Sequence, residues 1–198
     1  MATVATPYGF KPMGNVISAA YNHKTRTFTI ASAYNTSIFY GDPVIPVTGG
    51  GIQRDPMTTA LTAPGVLGIF LGCSYTDPNT LQKIFKQFWP ASTVATDAIA
   101  YVFDDPEGVF MIQADGAVPL TSNFGNFSIN NSAAAGWATF GNSKISVLFS
   151  SVAATTTLPI RCIGFVNGPT SAVGDAFTDM IVRWNFGIHT YHNFTGLA

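Results

Sequence analysis

Charge is scarce in this chain: Asp, Glu, Lys and Arg make up 10% of its 198 residues, against about a quarter in an ordinary soluble domain. Nine basic and ten acidic residues give a net charge of -1, and the basic ones are scattered from Lys11 to Arg183 without forming a stripe. That excludes a phosphate-binding surface and nucleic acid as the main partner. Long apolar runs are missing too, so no segment is expected to cross a membrane. The N-terminus has neither a basic n-region nor a signal-length apolar stretch, and the chain is expected to fold where it is made. Only Cys73 and Cys162 carry thiols, which in an intracellular product are expected as buried free cysteines.

What is present is apolar and aromatic. The hydrophobic fraction is 47%, 13% of residues are aromatic, and the mean hydropathy is +0.27. A surface with so little charge is expected to be covered by other proteins, which points to assembly ahead of catalysis. A chain of 21.0 kDa buries about 70% of its extended area, enough for one packed domain.

Pro7, Gly9, Pro12 and Gly14 punctuate residues 1–24, and the segment is expected to be an extended N-terminal arm. Residues 25–190 follow as a β domain and 191–198 as a C-terminal tail. Thr25 to Ile30 alternates strictly, as a half-buried strand does. Gly41 to Val47 contains two prolines and suits an edge strand. Gly49 to Gly51 reads as a hairpin tip. In Gly65 to Tyr75, Leu67, Ile69, Leu71, Cys73 and Tyr75 share one predicted face, with Gly68 and Gly72 opening the other to bends or close backbone approach. Leu81 to Trp89 has apolar residues at helical spacing but ends at Pro90, leaving helix and strand open. Ala98 to Phe103 and Val109 to Ala114 flank Asp105-Pro-Glu-Gly108, which has type I turn chemistry and predicts a β-hairpin. Residues 115–143 lack Lys and Arg and are predicted to be a long functional loop. With further β-type runs at 145–149, 160–166 and 180–188, the chain is predicted to be mainly β, a single antiparallel β-barrel or β-sandwich domain.

Reactive signatures are absent from the pattern. His189 and His192 fall on opposite faces of a strand and lack further ligands, so they are read as tail residues and not as a zinc site. The acids from Asp97 to Asp115 lack calcium-loop alternation and are read as solvated turn carboxylates. Ser74 is not in a G-x-S-x-G elbow, and neither cysteine has an activating context. No enzyme activity, cofactor or metal is expected. The aromatics crowd the two ends instead: Tyr8, Phe10 and Tyr21 in the arm, and Trp184, Phe186, Tyr191 and Phe194 in the last 15 residues. They either fold over the chain's own core or lie on neighbouring subunits.

Five segments also carry a family likeness: Thr6 to Pro12, Ile30 to Val44, Gly68 to Asp77, Gln113 to Gly116 and Ile181 to Asn185. Together they resemble head decoration, or cement, proteins of tailed bacteriophages, and the likeness spans most of the chain up to Gly116. It favours a strand entering a turn at Phe85 to Pro90. It implies a virion structural protein, made in the host cytoplasm, that binds the outer surface of the capsid and bridges neighbouring major capsid protein subunits. A homo-oligomer, dimer or trimer, is then expected. Candidate contacts to capsid or sister subunits are Tyr8, Phe10, Tyr21, Trp184, Tyr191 and Phe194, with Arg26 and Arg183 as candidate charge pairs. The alternatives are a tail or host-receptor-binding virion protein, using Trp137 and Phe140 as a ligand surface, and a carbohydrate-binding β-sandwich.

Overall fold

The computed structural model describes residues 4–16, 24–56, 65–130, 136–193 and 196. It is mainly β, as the alternating pattern predicts, and is built from two six-stranded sheets. The strands in chain order are β1 (Lys11–Asn15), β2 (Arg26–Ile30), β3 (Pro43–Pro46), β4 (Gly51–Arg54), β5 (Gly68–Thr76) and β6 (Lys83–Lys86), then β7 (Ile99–Phe103), β8 (Gly108–Gln113), β9 (Asn126–Asn130), β10 (Ser146–Ala153), β11 (Ile160–Phe165) and β12 (Asp179–Trp184).

The first sheet runs β3-β4-β2-β7-β5-β6, and an additional β3–β5 pairing closes five of its strands into a small barrel. Closure removes sheet edges that would otherwise stay open. Gly49 and Gly50, both at positive φ, form the predicted hairpin tip between β3 and β4. Contrary to the edge-strand expectation, β3 pairs on both sides. Its prolines are tolerated because the pairings are short and neighbouring carbonyls accept: Leu67 N–H donates to Val44 and Asp55 N–H to Pro43. Ile30, Val44, Ile52, Phe70, Tyr75 and Trp89 help fill the barrel.

Strand β5 does not keep one apolar face. A bulge between Phe70 and Gly72 moves the side-chain phase by one residue. Leu67, Phe70, Cys73 and Tyr75 therefore face the barrel interior, while Ile69 packs in the other core cluster and Leu71 against it. Gly68 meets the close approach expected of it, since a Cβ there would stand 2.2 Å from the Phe103 carbonyl oxygen.

The second sheet runs β1-β8-β12-β11-β9-β10 and curls until Ala114 forms a parallel bridge with Val147. Its core includes Phe10, Phe110, Phe127, Ile160, Val182 and Trp184. Strands β7 and β8 belong to different sheets, so the predicted hairpin is a corner between them. The turn itself is as its residues dictate, with Gly108 N–H donating to Asp105 O and Glu107 N–H to the Asp105 side chain.

Two further expectations are corrected, and one open alternative is resolved. The arm of residues 1–24 is, in its described part, an edge strand of the second sheet: β1 pairs with β8, and a register shift at Pro12/Gly14 accommodates the proline. Residues 115–143 contain β9, which pairs with both β10 and β11, so the stretch is not one loop. Lys83–Lys86 is a strand, which excludes the helix over 81–89.

The two sheets are joined by backbone hydrogen bonds and by a buried side-chain contact, Ser143 to Asp42, whose carboxylate also pairs with Arg54 of its own sheet. Phe10 N–H donates to Gly41 O and Val66 N–H to Ile188 O, while Gly41 N–H, donating to Phe70 O, ties the first crossing to β5. Gly9 and Gly41 hold positive φ at this crossing, where a Cβ on Gly9 would stand 2.6 Å from Ser143 Cβ. Asp42, fully buried, accepts from Phe39 N–H at 2.9 Å and from Ser143 Oγ at 2.6 Å, and its Oδ2 lies 2.9 Å from Arg54 Nε. Burial pushes the Asp42 carboxyl up, against the opposing pull of Arg54, Ser143 and Phe39.

Candidate interaction surface

The residues that the sequence proposes as contacts divide into three groups. Phe10 and Trp184 are core residues, 0% and 2% exposed, with ring centroids 5.1 Å apart and both packed on Phe110. They cannot reach a partner without unfolding, and their expected surface role is corrected. Aromatic composition alone cannot distinguish a chain's own core from a neighbour's. Tyr21 and Phe194 lie outside the described residues.

Tyr8, Arg26, Arg183 and Tyr191 are held by partners in their own chain. Tyr8 donates from its hydroxyl to Asp179 at 2.8 Å, and burial, reinforced by Asp179, pushes that hydroxyl well above its ordinary range. Arg26 pairs with Asp104 at 3.1 Å and donates to Tyr191 Oη at 2.6 Å, while Tyr191 donates to Asp104 at 2.7 Å. Burial and then Asp104 push the Tyr191 hydroxyl up to about 12. Arg183 pairs with Glu107 at 2.8 Å. Both arginines thus brace the corner between β7 and β8. Asp104 and Glu107 there, like Asp97 bound by Lys83 at 2.8 Å, are ion-pair partners and not the solvated turn carboxylates expected from sequence, whereas Asp105 shapes its turn as expected.

A different face is exposed and apolar. Phe85 on β6 is 73% exposed, and Leu81, two residues before the strand, is 79% exposed. Val94 lies on the neighbouring loop, also exposed. Val94 also lines, with Tyr75, Asp77, Lys86, Pro90, Ser92 and others, a shallow depression of about 500 Å³ on the Lys86 side of the strand. Leu81 and Ser92 both have positive φ, 57° and 60°. Such backbone costs on the order of 1 kcal/mol or more per non-glycine residue. Both residues, Ser92 lining the depression and Leu81 just before β6, are thus maintained against their own stability cost.

The 136–142 turn extends this face. Gln87 donates to Asn142 Oδ1 at 2.6 Å, and Gly141 stands against the Gln87 side chain. Trp137 bridges to Asn142, with Lys144 Nζ 4.1 Å from its ring centroid. Phe140 is exposed at the tip. Sequence reasoning singled out Trp137 and Phe140 but missed Leu81, Phe85 and Val94. The missing signal is strand alternation: in β6 Ile84 packs inward against the barrel core while Lys83 and Phe85 face outward.

The reactive groups are poorly placed for chemistry. Cys73 and Cys162 are buried free thiols, as expected, and burial pushes Cys73 up to about 12, which keeps the thiolate scarce. His189 is buried, accepts at Nδ1 from Tyr191 N–H at 3.2 Å, and is pulled down to about 4, first by burial and then by His192. Among the described residues, no three His, Cys, Asp or Glu side chains gather as a metal site, and no helix is long and apolar enough to cross a membrane.

Fold and surface together define a mainly β, two-sheet protein with exposed apolar side chains on and beside a short outer strand. Comparison with known protein families, curated proteins and solved structures finds no match.

Proposed function

We propose that this chain is a virion structural protein, a decoration or cement protein that binds the outside of a phage head and bridges neighbouring major capsid subunits. The observation that carries the reading is the exposed apolar side chains of Leu81 and Phe85, just before and on the edge strand β6 of the barrel sheet, with Leu81 held at positive φ. Low charge and the sequence likeness to head decoration proteins support it. No bond is made or broken in this role. A homo-oligomer, dimer or trimer, would engage two or more capsid subunits at once, so that modest interfaces of about 1,600 Å² sum to a persistent clamp. Further exposed apolar residues, Leu120, Phe124, Phe149 and Val152, are candidates for contact with sister subunits.

The exposed Trp137 and Phe140 favour one rival, a tail or host-receptor-binding virion protein. Immunogold labelling of whole particles separates the two. Label distributed over the head supports decoration, and label confined to the tail refutes it.

A further inference from the structure

Strand β6 ends the first sheet. It pairs with β5 from Cys73↔Lys86 to Thr76↔Lys83, and among the described residues no strand or backbone hydrogen bond meets its outer edge. In an antiparallel strand alternate residues turn both N–H and C=O away from the partner, so β6 offers a ready edge for strand addition.

Lysines often protect such edges, but here the two are used differently. Lys83 is bound to Asp97. Lys86 rests 5.7 Å from the Phe88 ring centroid and 6.0 Å from that of Tyr75, with no carboxylate partner among the described residues. Asp77, the acid lining the same depression, is occupied by the amide of Asn79 at 2.8 Å. Phe85 lies beside Lys86 on the opposite face of the strand, exposed and uncovered.

A second copy of this chain is a poor donor for the edge. In symmetric antiparallel pairing of β6 with itself opposed residues share a face, so Lys86 meets Ile84 or Lys83 meets Phe85, and the strand Lys-Ile-Phe-Lys supplies no carboxylate to either lysine; parallel in-register pairing sets each lysine against its copy, and like charges opposite one another destabilise a ladder. We infer that β6 is completed by an extended segment of another protein whose side chains alternate acidic and apolar. The period of two follows from the strand itself. Main-chain hydrogen bonds join the edge, an apolar side chain covers Phe85 on one face, and a carboxylate reaches Lys86 on the other. Placing that segment on the capsid shell rests on the proposed function; the pairing itself does not.

The test uses the full chain and fluorescence anisotropy with labelled eight-residue peptides. One peptide alternates glutamate with valine, a second alternates lysine with valine, and a third is the first with alternate backbone amides N-methylated. The expected result is binding of the glutamate peptide at least tenfold tighter than either other, weakening as salt is raised. Lys86→Glu, an exposed change whose fold is checked by circular dichroism, should reverse the preference, and Lys86→Gln should abolish it. No binding of the glutamate peptide, equal binding of both charges, or indifference to N-methylation would overturn the inference. No heads are used, so this pairing and the decoration role fail separately.

Discussion

Replacing Asp42 by Asn strikes the buried contact that joins the barrel to the second sheet. The carboxylate accepts from Phe39 N–H and Ser143 Oγ and faces Arg54, whose side chain is only 8% exposed. An amide leaves the guanidinium charge buried and uncompensated, a loss of about 3–5 kcal/mol. In a domain of this size each kcal/mol lowers the melting temperature by about 2–4 °C, so D42N should melt about 6–20 °C below the parent. R54M should cost a comparable amount by stranding Asp42. The double variant D42N/R54M should be less damaged than the two losses added together, with a favourable coupling of about 2 kcal/mol. Urea unfolding at pH 7 measures all four corners of the cycle. If D42N lies within 1 kcal/mol of the parent, or if the double variant costs the full sum, Asp42 and Arg54 do not compensate each other in the core in the manner described.

Two other outcomes follow from strained or buried groups. His189 is pulled from 6.5 to about 4, so between those values the unfolded chain binds a proton that the folded one does not. Stability should therefore fall as pH drops from about 6.5 to about 4, by up to about 3 kcal/mol, and His189→Gln should lose that part of the slope; identical urea midpoints against pH for parent and variant would contradict it. Leu81→Asn relieves a left-handed backbone with a residue that tolerates it, and should raise stability by about 0.5–1 kcal/mol. A lower melting temperature for this variant would show that Leu81 packs in its own chain.

Local chemistry was legible where it decides local structure. Thr25 to Ile30 alternates and forms β2, Asp105-Pro-Glu-Gly108 makes its turn, and Gly49 and Gly50 turn their hairpin. Partner choice was not legible, because it is settled by distant residues. The turn at Asp105 reads the same whether its strands pair with each other or, as here, leave for different sheets. One bulge at Gly72 redistributes an apolar face that looked continuous. Phe10 and Trp184 are as aromatic as any interface anchor, yet each is buried against Phe110. The exposed face was hidden by a period that fits both a helix and a strand: Leu81, Ile84 and Phe85 lie together only on a helix, and β6 turns Phe85 outward. The scarcity of charge pointed to a covered surface, and the geometry relocates the search from the chain ends to β6 and its neighbours.

Decoration itself is tested most directly by adding the purified protein to heads stripped of it and measuring bound copies and rupture temperature. Saturable rebinding with a higher rupture temperature is expected, with both effects reduced at least tenfold in affinity by Phe85→Ser together with Leu81→Ser. Heads that neither bind the protein nor gain resistance to heating would contradict the account.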